Sequence, residues 1–373
     1  MQPIIKWPGG KESELKYILP MAPRRFNNYY EPFVGGGAVY TSISAHKYFI
    51  NDKSDELIGI YKVLSDDSNI LMCKLLREID SNWRHISEMV VNNQDYFRCI
   101  FIDYRNGTLS SHQLKNSLFD FILTHTGEFN GMFMIECNCD IENYIVEIKK
   151  NLLRKINRMV AIEHDRGLLP HNDIIDNIET AFKSAYYMHY RHIYNNIDRY
   201  NLPQYHKVAI YIFIRNYAYS GMFRYNSNGD FNVPYGGIAY NKKSLSNKIK
   251  LYESFVLSNL VKNTIVCNMD FFDFFNKYPP GVDDFVFLDP PYDTEFSTYS
   301  NNEFNRYDQE RLADYLINRC RAKWMLVIKN NSYILNLYHG KGLDIQTYNK
   351  SYKVSFMNRN DKNAEHLMIR SYL

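Results

Sequence analysis

The stretch Phe285-Val286-Phe287-Leu288-Asp289-Pro290-Pro291-Tyr292 carries the strongest chemical signal in the sequence. Four apolar residues, the length of a buried parallel strand, run into a carboxylate, two prolines and an aromatic. Two successive prolines cannot continue a hydrogen-bonded ladder, so the strand ends at Asp289. The chain then presents a carboxylate, an acceptor-only backbone and an aromatic face at the carboxyl edge of a sheet, where open α/β sheets bind ligands. This set suits a flat ring bearing an amine. Asp289 and the Pro290 carbonyl can accept from the exocyclic amino group, and Tyr292 can stack on the ring. Taken alone, the string also fits an ordinary Pro-Pro turn after a strand.

Two further stretches at the N-terminal end could handle a ligand. Trp7-Pro8-Gly9-Gly10-Lys11 reads as a loop opening a helix over 12–19, and such a helix start can receive an anion. It is not a P-loop, because the glycine spacing and the Lys-Ser/Thr pair are missing. Tyr29-Tyr30-Glu31-Pro32-Phe33-Val34-Gly35-Gly36-Gly37 reads as an aromatic strand meeting three glycines, with a helix expected next. Tyr48 to Asp52 is a second short strand ending in an acid. Strand, glycine turn, helix, strand and acid form the layout of a nucleoside site, with Asp52 on ribose hydroxyls. Near 264–271, another strand ends in Asp270 and Phe271, a pair able to bind an adenine edge and cover its face.

The elements that position these residues fall into two kinds. Residues 1–53 and 260–373 read as α/β. Residues 54–204 show helical spacing and no strand-glycine-helix unit, so they read as a largely helical insertion. Its histidines (His125, His164, His189, His192) read as packing or surface residues. Residues 215–236 carry Arg215, Asn216, Ser220, Arg224, Tyr225, Asn226 and Asn232 around the turn signal Asn228-Gly229. A hairpin so rich in Arg, Asn and Tyr can enter a DNA groove or wedge between bases. Lys242, Lys243, Lys248 and Lys250 follow and suit phosphate contacts.

Composition sets outer bounds. A chain of 373 residues with 45% hydrophobic content can build two cored domains, or one with a large insertion. A net charge of +3 requires any nucleic-acid face to be a local patch. The 32 tyrosines suit stacking surfaces. Among six scattered cysteines only Cys137 and Cys139 are close, so no zinc or other metal is expected and the thiols suggest a reducing compartment. No apolar run approaches about 18 residues and the N-terminus lacks a signal-peptide core, so a cytoplasmic, nucleoid-associated protein is expected, with no membrane partner.

Together these stretches resemble the Dam-like family of DNA N6-adenine methyltransferases. Lys6 to Lys11 is similar to that family's first cofactor motif, which usually has Ala where Pro8 stands. Glu31 to Gly37 is similar to its glycine-rich motif and Asn51-Asp52 to its ribose acid. Arg224 to Gly236 is similar to its DNA hairpin, although relatives often carry Asn where Ser220 stands. Asp289-Pro290-Pro291-Tyr292 matches its catalytic motif, and Asp308-Gln309 and Glu365 to Tyr372 are also similar. The motifs lie in the family's order and cover about 1–62 and 205–373. The resemblance implies a Rossmann-like class I methyltransferase sheet with a target-recognition, DNA-binding region over 54–259, made of a largely helical insertion (54–204) and a β-hairpin (215–236). It implies S-adenosyl-L-methionine as cofactor, held by Trp7, Lys11, Glu31, Pro32, Phe33, Gly35, Gly37, Asp52, Asp270, Phe271 and Asp289. The expected reaction is methyl transfer to N6 of a flipped-out adenine in double-stranded DNA, with Asp289, Pro290, Pro291 and Tyr292 catalytic. Such enzymes stand alone or belong to a restriction-modification system, with a cognate endonuclease encoded nearby. The rivals are methylation of adenine in RNA or of a protein glutamine, and a catalytically silent DNA-binding protein. The recognition sequence is left open.

Overall fold

A computed structural model of the protein describes residues 1–133, 140–291, 304–351 and 363–373. Tyr292, Cys137 and Cys139 lie outside the described residues. The chain divides into two compact units, residues 1–67 with 251–373, and residues 68–250. These units divide at 67/68 and 250/251; the sequence reading divided the functional regions at 53/54 and 259/260.

The first unit is built on seven strands: β1 (Asn28–Glu31), β2 (Lys47–Asn51), β3 (Thr264–Cys267), β4 (Phe285–Leu288), β5 (Lys323–Lys329), β6 (Asp344–Ser351) and β7 (Asn363–Arg370). They lie in the order β3-β2-β1-β4-β5-β7-β6. Strands β3, β2, β1, β4 and β5 are mutually parallel, whereas β7 runs antiparallel to both β5 and β6. This is the Rossmann-like methyltransferase sheet expected from the resemblance. All four residues of β4 are buried, which explains the unbroken apolar run Phe285–Leu288. Tyr30 on β1 stacks on Phe49 of β2, with centroids 4.5 Å apart.

Helix α1 (Leu15–Met21) follows a 3₁₀ turn at Glu12–Glu14. Helix α2 (Asp55–Leu64) is capped by Ser54, whose side chain accepts from the Leu57 amide. It packs on β3, which is why it belongs to this unit and not to the helical one. The helix expected after the glycines is absent; only a 3₁₀ turn forms at Tyr40–Ser42. The Thr41 and Ser42 hydroxyls donate to the carbonyls of Gly37 and Ala38 at 2.8 Å, a local bond that competes with helix propagation.

The second unit holds α3 (Ser68–Asn92), α4 (Gln94–Arg105), α5 (Ser111–Thr124), α6 (Thr126–Asn130), α7 (Ile141–Arg166), α8 (His171–Asn195) and α9 (Gln204–Tyr217). Its core is largely aromatic. Trp83, Tyr186, Phe213, Tyr217 and Tyr235 form a continuous set of ring contacts 4.4–6.2 Å apart. Many tyrosines are therefore core residues rather than stacking surface. The similar strings Asn130-Gly131-Met132-Phe133 and Ser220-Gly221-Met222-Phe223 are not structural repeats: Gly131 has φ −73°, Gly221 +62°.

The remaining helices are α10 (Ser246–Tyr252), α11 (Phe255–Lys262), α12 (Phe271–Lys277), α13 (Arg306–Asp314) and α14 (Ser332–Tyr338). Helix α13 passes directly into a π turn at Tyr315–Arg319.

His189, on α8, shows what the aromatic core does to a titratable group. It is fully buried and its ring lies 4.7 Å from that of Phe133. Burial pushes its imidazole down to about 3, with the His192 charge acting the same way and Asp140 opposing. The native state thus keeps His189 neutral while the unfolded chain takes up a proton near its ordinary value. A depressed value contributes stability above about pH 6.5 that is lost as the pH falls. His189→Gln should remove up to about 1.4 kcal/mol of acid sensitivity per pH unit below that point. Denaturant melts of both proteins across that range check it. Parallel pH slopes would show that His189 is not the group responsible.

Candidate active site and nucleic-acid interface

Because β2, β1 and β4 are parallel neighbours, their carboxyl ends open on one edge. Glu31 ends β1, Asp52 follows β2 and Asp289 follows β4. The strand order reverses between β1 and β4, which is the place where open α/β sheets form a ligand crevice.

Lys11 reaches this edge from the N-terminal loop. Its Nζ donates to Asp289 Oδ1 at 2.6 Å and to the Gly9 carbonyl at 3.0 Å. Lys11 is 3% exposed and Asp289 19%. Two oppositely charged groups so near and so little solvated are held firmly; exposed pairs contribute only about 0–1 kcal/mol. The resemblance put Lys11 among the residues that hold the cofactor. The structure places its ammonium on the catalytic-motif carboxylate.

The glycine turn is shaped by the N-terminal segment. The Ile4 amide donates to the Gly36 carbonyl at 2.9 Å, and a Cβ on Gly36 would collide with the Ile5 carbonyl. Gly35 and Gly37 have φ of +48° and +75°, a region that favours glycine. A Cβ on Gly35 would meet Trp7 Cδ1 at 3.2 Å, so the half-buried Trp7 ring and the turn form one surface. Asp52 accepts from the Gly35 amide through Oδ2 and the Ser54 amide through Oδ1, both at 3.0 Å. Burial raises the Asp52 carboxyl above its ordinary value; backbone bonds oppose this and the Asp289 charge reinforces it. Glu31 is 2% exposed and accepts from the Tyr29 hydroxyl at 2.7 Å. Burial pushes it well above the usual carboxylate range. Pro32 is buried, and its carbonyl accepts from the Asn51 side chain at 3.1 Å.

The expected adenine pair is committed to structure. Asp270 caps α12 by accepting from the Phe272 amide at 2.9 Å. It also pairs with Arg311 at 3.0 Å and Lys53 at 3.4 Å. Phe271 is 3% exposed and packs on Phe33 and Phe304, so it offers no open face to a ring. The sequence missed Arg311, which lies over Phe271 while holding Asp270. It also missed how the catalytic string is fixed: the buried Gln309 donates from Nε2 to the Pro291 carbonyl at 3.0 Å. Pro290 is buried beside it.

In the second unit the hairpin is real but short. Pairing is confined to Ala218↔Tyr235 and Tyr225↔Phe231. Asn226 closes the turn, its Oδ1 accepting from the amides of Asn228 and Asp230 at 2.9 Å. Gly229 supplies the positive φ of +83°. Exposed Arg224 donates to Asn232 Oδ1 at 2.8 Å, and Tyr225 packs edge-on against Phe223. Arg215 and Asn216 do not belong to the hairpin. They end α9, where Arg215 is 6% exposed and donates to the carbonyls of Gly221 and Met222 at 3.3 and 2.8 Å. A helix ends there because the chain turns to pair with Tyr235. Lys243 likewise donates to the Asn216 carbonyl at 2.9 Å and lies over the Tyr240 ring, so it is an internal brace.

The loop that Arg215 holds contains a strained residue. Ser220 is exposed and sits at φ +52°, uncommon for a residue with a Cβ. Beside it Tyr219 is 51% exposed, an aromatic that sequence reading passed over. Behind the hairpin, α8 supplies the posts. Asn195 bonds both the amide and the carbonyl of Phe231, and Tyr187 and Arg191 donate to the Val233 carbonyl at 2.9 and 3.0 Å. Part of the helical insertion is thus a platform for the hairpin.

The sheet order, the carboxylate edge and the hairpin are the features of a DNA-modifying methyltransferase. The family model for D12 class N6 adenine-specific DNA methyltransferases matches residues 7–138 and 136–356, and the chain belongs to that family. It is an adenine-specific DNA methyltransferase, acts on DNA and needs a methyl donor. The chain is 22% identical over 379 residues to Type II methyltransferase M.CviBI of Paramecium bursaria Chlorella virus NC1A, covering 100% of each. It is 25% identical over 354 residues to Type II methyltransferase M.MjaIII of Methanocaldococcus jannaschii, covering 91% of this chain and 86% of the relative. It is also 25% identical over 224 residues to a DNA adenine methylase of Haemophilus influenzae, 57% of this chain and 72% of that one. The family match runs through the middle region that the motif resemblance left uncovered.

Arg215→Met should leave two loop carbonyls without their donor, at a cost of about 1–3 kcal/mol. Chemical denaturation of this variant should show that loss, with methyl-donor affinity unchanged. A variant as stable as the wild type would mean the loop holds its shape without Arg215.

Proposed function

We propose that this enzyme transfers a methyl group from S-adenosyl-L-methionine to N6 of an adenine flipped out of double-stranded DNA. The observation that carries the reading is the gathering of Glu31, Asp52 and Asp289 on one sheet edge, with Lys11 on Asp289. The residues fit the cofactor. The carboxylates suit its two cationic centres, and Asp52, already ordered by Gly35 and Ser54, can accept from ribose hydroxyls. Trp7 and the glycine turn provide a flat wall. Asp270, with Arg311 and Lys53 on it, would meet the cofactor's adenine only as part of that ion cluster. When bound, the cofactor supplies an electrophilic methyl group on a sulfonium.

A carboxylate has about four acceptor sites, so Asp289 can hold Lys11 through Oδ1 and still accept from an adenine amino group. The Pro290 carbonyl is the second acceptor, and Gln309 fixes the backbone beside it. Two acceptors on N6 orient its lone pair toward the methyl group, so the protein's contribution is position and charge complementarity. Tyr292 would stack on the base. A base inside a duplex must first be extruded, at a cost of a few kcal/mol. Tyr219, exposed on the loop that Arg215 braces, is the residue suited to wedge into the stack, with Ser220 next to it in the chain. The enzyme would work in the cytoplasm on chromosomal or invading DNA, alone or alongside a restriction endonuclease.

Single-molecule methylation sequencing of DNA from cells expressing the enzyme tests this directly. N6-methyladenine at one recurrent sequence, absent with Asp289→Ala, is expected. A normal pattern with Asp289→Ala sinks the assignment of that carboxylate, and methylated RNA with unmodified DNA turns the reading to an RNA substrate. For the loop, Tyr219→Ala should slow base extrusion and weaken DNA binding by about 1–3 kcal/mol while leaving cofactor affinity intact. Fluorescence of 2-aminopurine at the target position reports it; equal signals from both proteins would remove Tyr219 from the role.

A further inference from the structure

Lysine is a flexible stem ending in a point charge, so its ammonium stays in one place only if its surroundings hold it there. Lys11 Nζ lies 2.6 Å from Asp289 on one side and 3.9 Å from Glu14 Oε1 on the other. Glu14 is 2% exposed, and its own position is fixed from the far edge of the sheet. The Tyr348 hydroxyl on β6 donates to Glu14 Oε2, and Nδ1 of the fully buried His366 on β7 lies 3.2 Å from that oxygen. Tyr348 and His366 are direct partners in the antiparallel register.

The face of β7 explains the arrangement. Leu367 and Ile369 point into the sheet's main core, whereas His366 and Arg370 point the other way, toward the N-terminal helix. Arg370 and Tyr372 donate to the carbonyl of Met21, at the end of α1, as His366 and Tyr348 meet Glu14 at its start. The antiparallel pair thus pins both ends of the segment that follows Lys11.

We propose that Glu14, anchored by the Tyr348 hydroxyl beside His366, is a positioning residue for methyl transfer: it sets the place of the Lys11 ammonium and, through it, the orientation of the Asp289 carboxylate. This rests on Asp289 being the acceptor for the adenine amine. Glu14 shares the ammonium's charge. Without that share, Lys11 binds Asp289 more tightly and weakens it as an acceptor toward the base.

The test is single-turnover transfer to duplex DNA at saturating S-adenosylmethionine. Glu14→Gln should slow the transfer step roughly 10- to 100-fold, with dissociation constants for DNA and cofactor at wild-type values. Tyr348→Phe, which removes only the hydroxyl that fixes Glu14, should slow the same step and reads the proposal if Glu14→Gln does not fold. In a Lys11→Met background, Glu14→Gln should have no further effect, because both act through one ammonium. A wild-type rate for Glu14→Gln while Asp289→Asn is inactive overturns the proposal. So does an equal further loss in the Lys11→Met background, the mark of a merely structural role. A wild-type rate for Asp289→Asn overturns instead the reading on which it rests.

Discussion

The contact between Lys11 and Asp289 is the interaction on which the rest of the active edge depends. Three acids, Glu31, Asp52 and Asp289, come together there because three parallel strands end side by side. Burial and mutual repulsion raise the first two above their ordinary values. An edge of this kind is poised for a cation. One ammonium, fixed on Asp289 and balanced by Glu14, keeps that acid ordered while the other two retain their demand for positive charge. On our proposal, a sulfonium cofactor with an amino group meets that demand.

The second unit answers a different constraint. A loop proposed to enter DNA has to be exposed, yet it cannot collapse onto the protein when DNA is absent. The chain resolves this from behind. Arg215 holds the loop carbonyls, and Asn195, Tyr187 and Arg191 hold the strand that returns from the turn. The strain at Ser220 is sustained by that support, and the exposed Tyr219 is its product. Under that platform, Tyr186 and Tyr190 of α8 pack into the aromatic core with Trp83 and Phe213.

Much of this was legible in the sequence, for a local reason. A four-residue apolar run ending in Asp-Pro-Pro-Tyr contains its own stop signal and its own chemistry, so β4 and Asp289 could be placed from eight consecutive residues. Asp52 followed from the same logic, a short strand ending in an acid, whereas Glu31 came from the family resemblance. What could not be read depends on residues far apart in the chain. Lys11 pairs with a carboxylate 278 positions away, and only the folded sheet brings them together. Phe271 carried the right residue type for a stacking role, but tertiary packing on Phe33 and Phe304 claimed it. Arg215 belonged by composition to a DNA-binding string, yet helix α9 extends through it and turns it inward. The helix expected after the glycines failed because Thr41 and Ser42 bond their own backbone, a signal that was present and passed over.

The most direct measurement of the central claim is transfer of label from methyl-labelled S-adenosylmethionine to duplex DNA by purified protein, followed by digestion to nucleosides. The account predicts label in N6-methyldeoxyadenosine alone with the wild type, and none with a folded, cofactor-binding Asp289→Ala variant. Label in another nucleoside, or undiminished transfer by that variant, would contradict it.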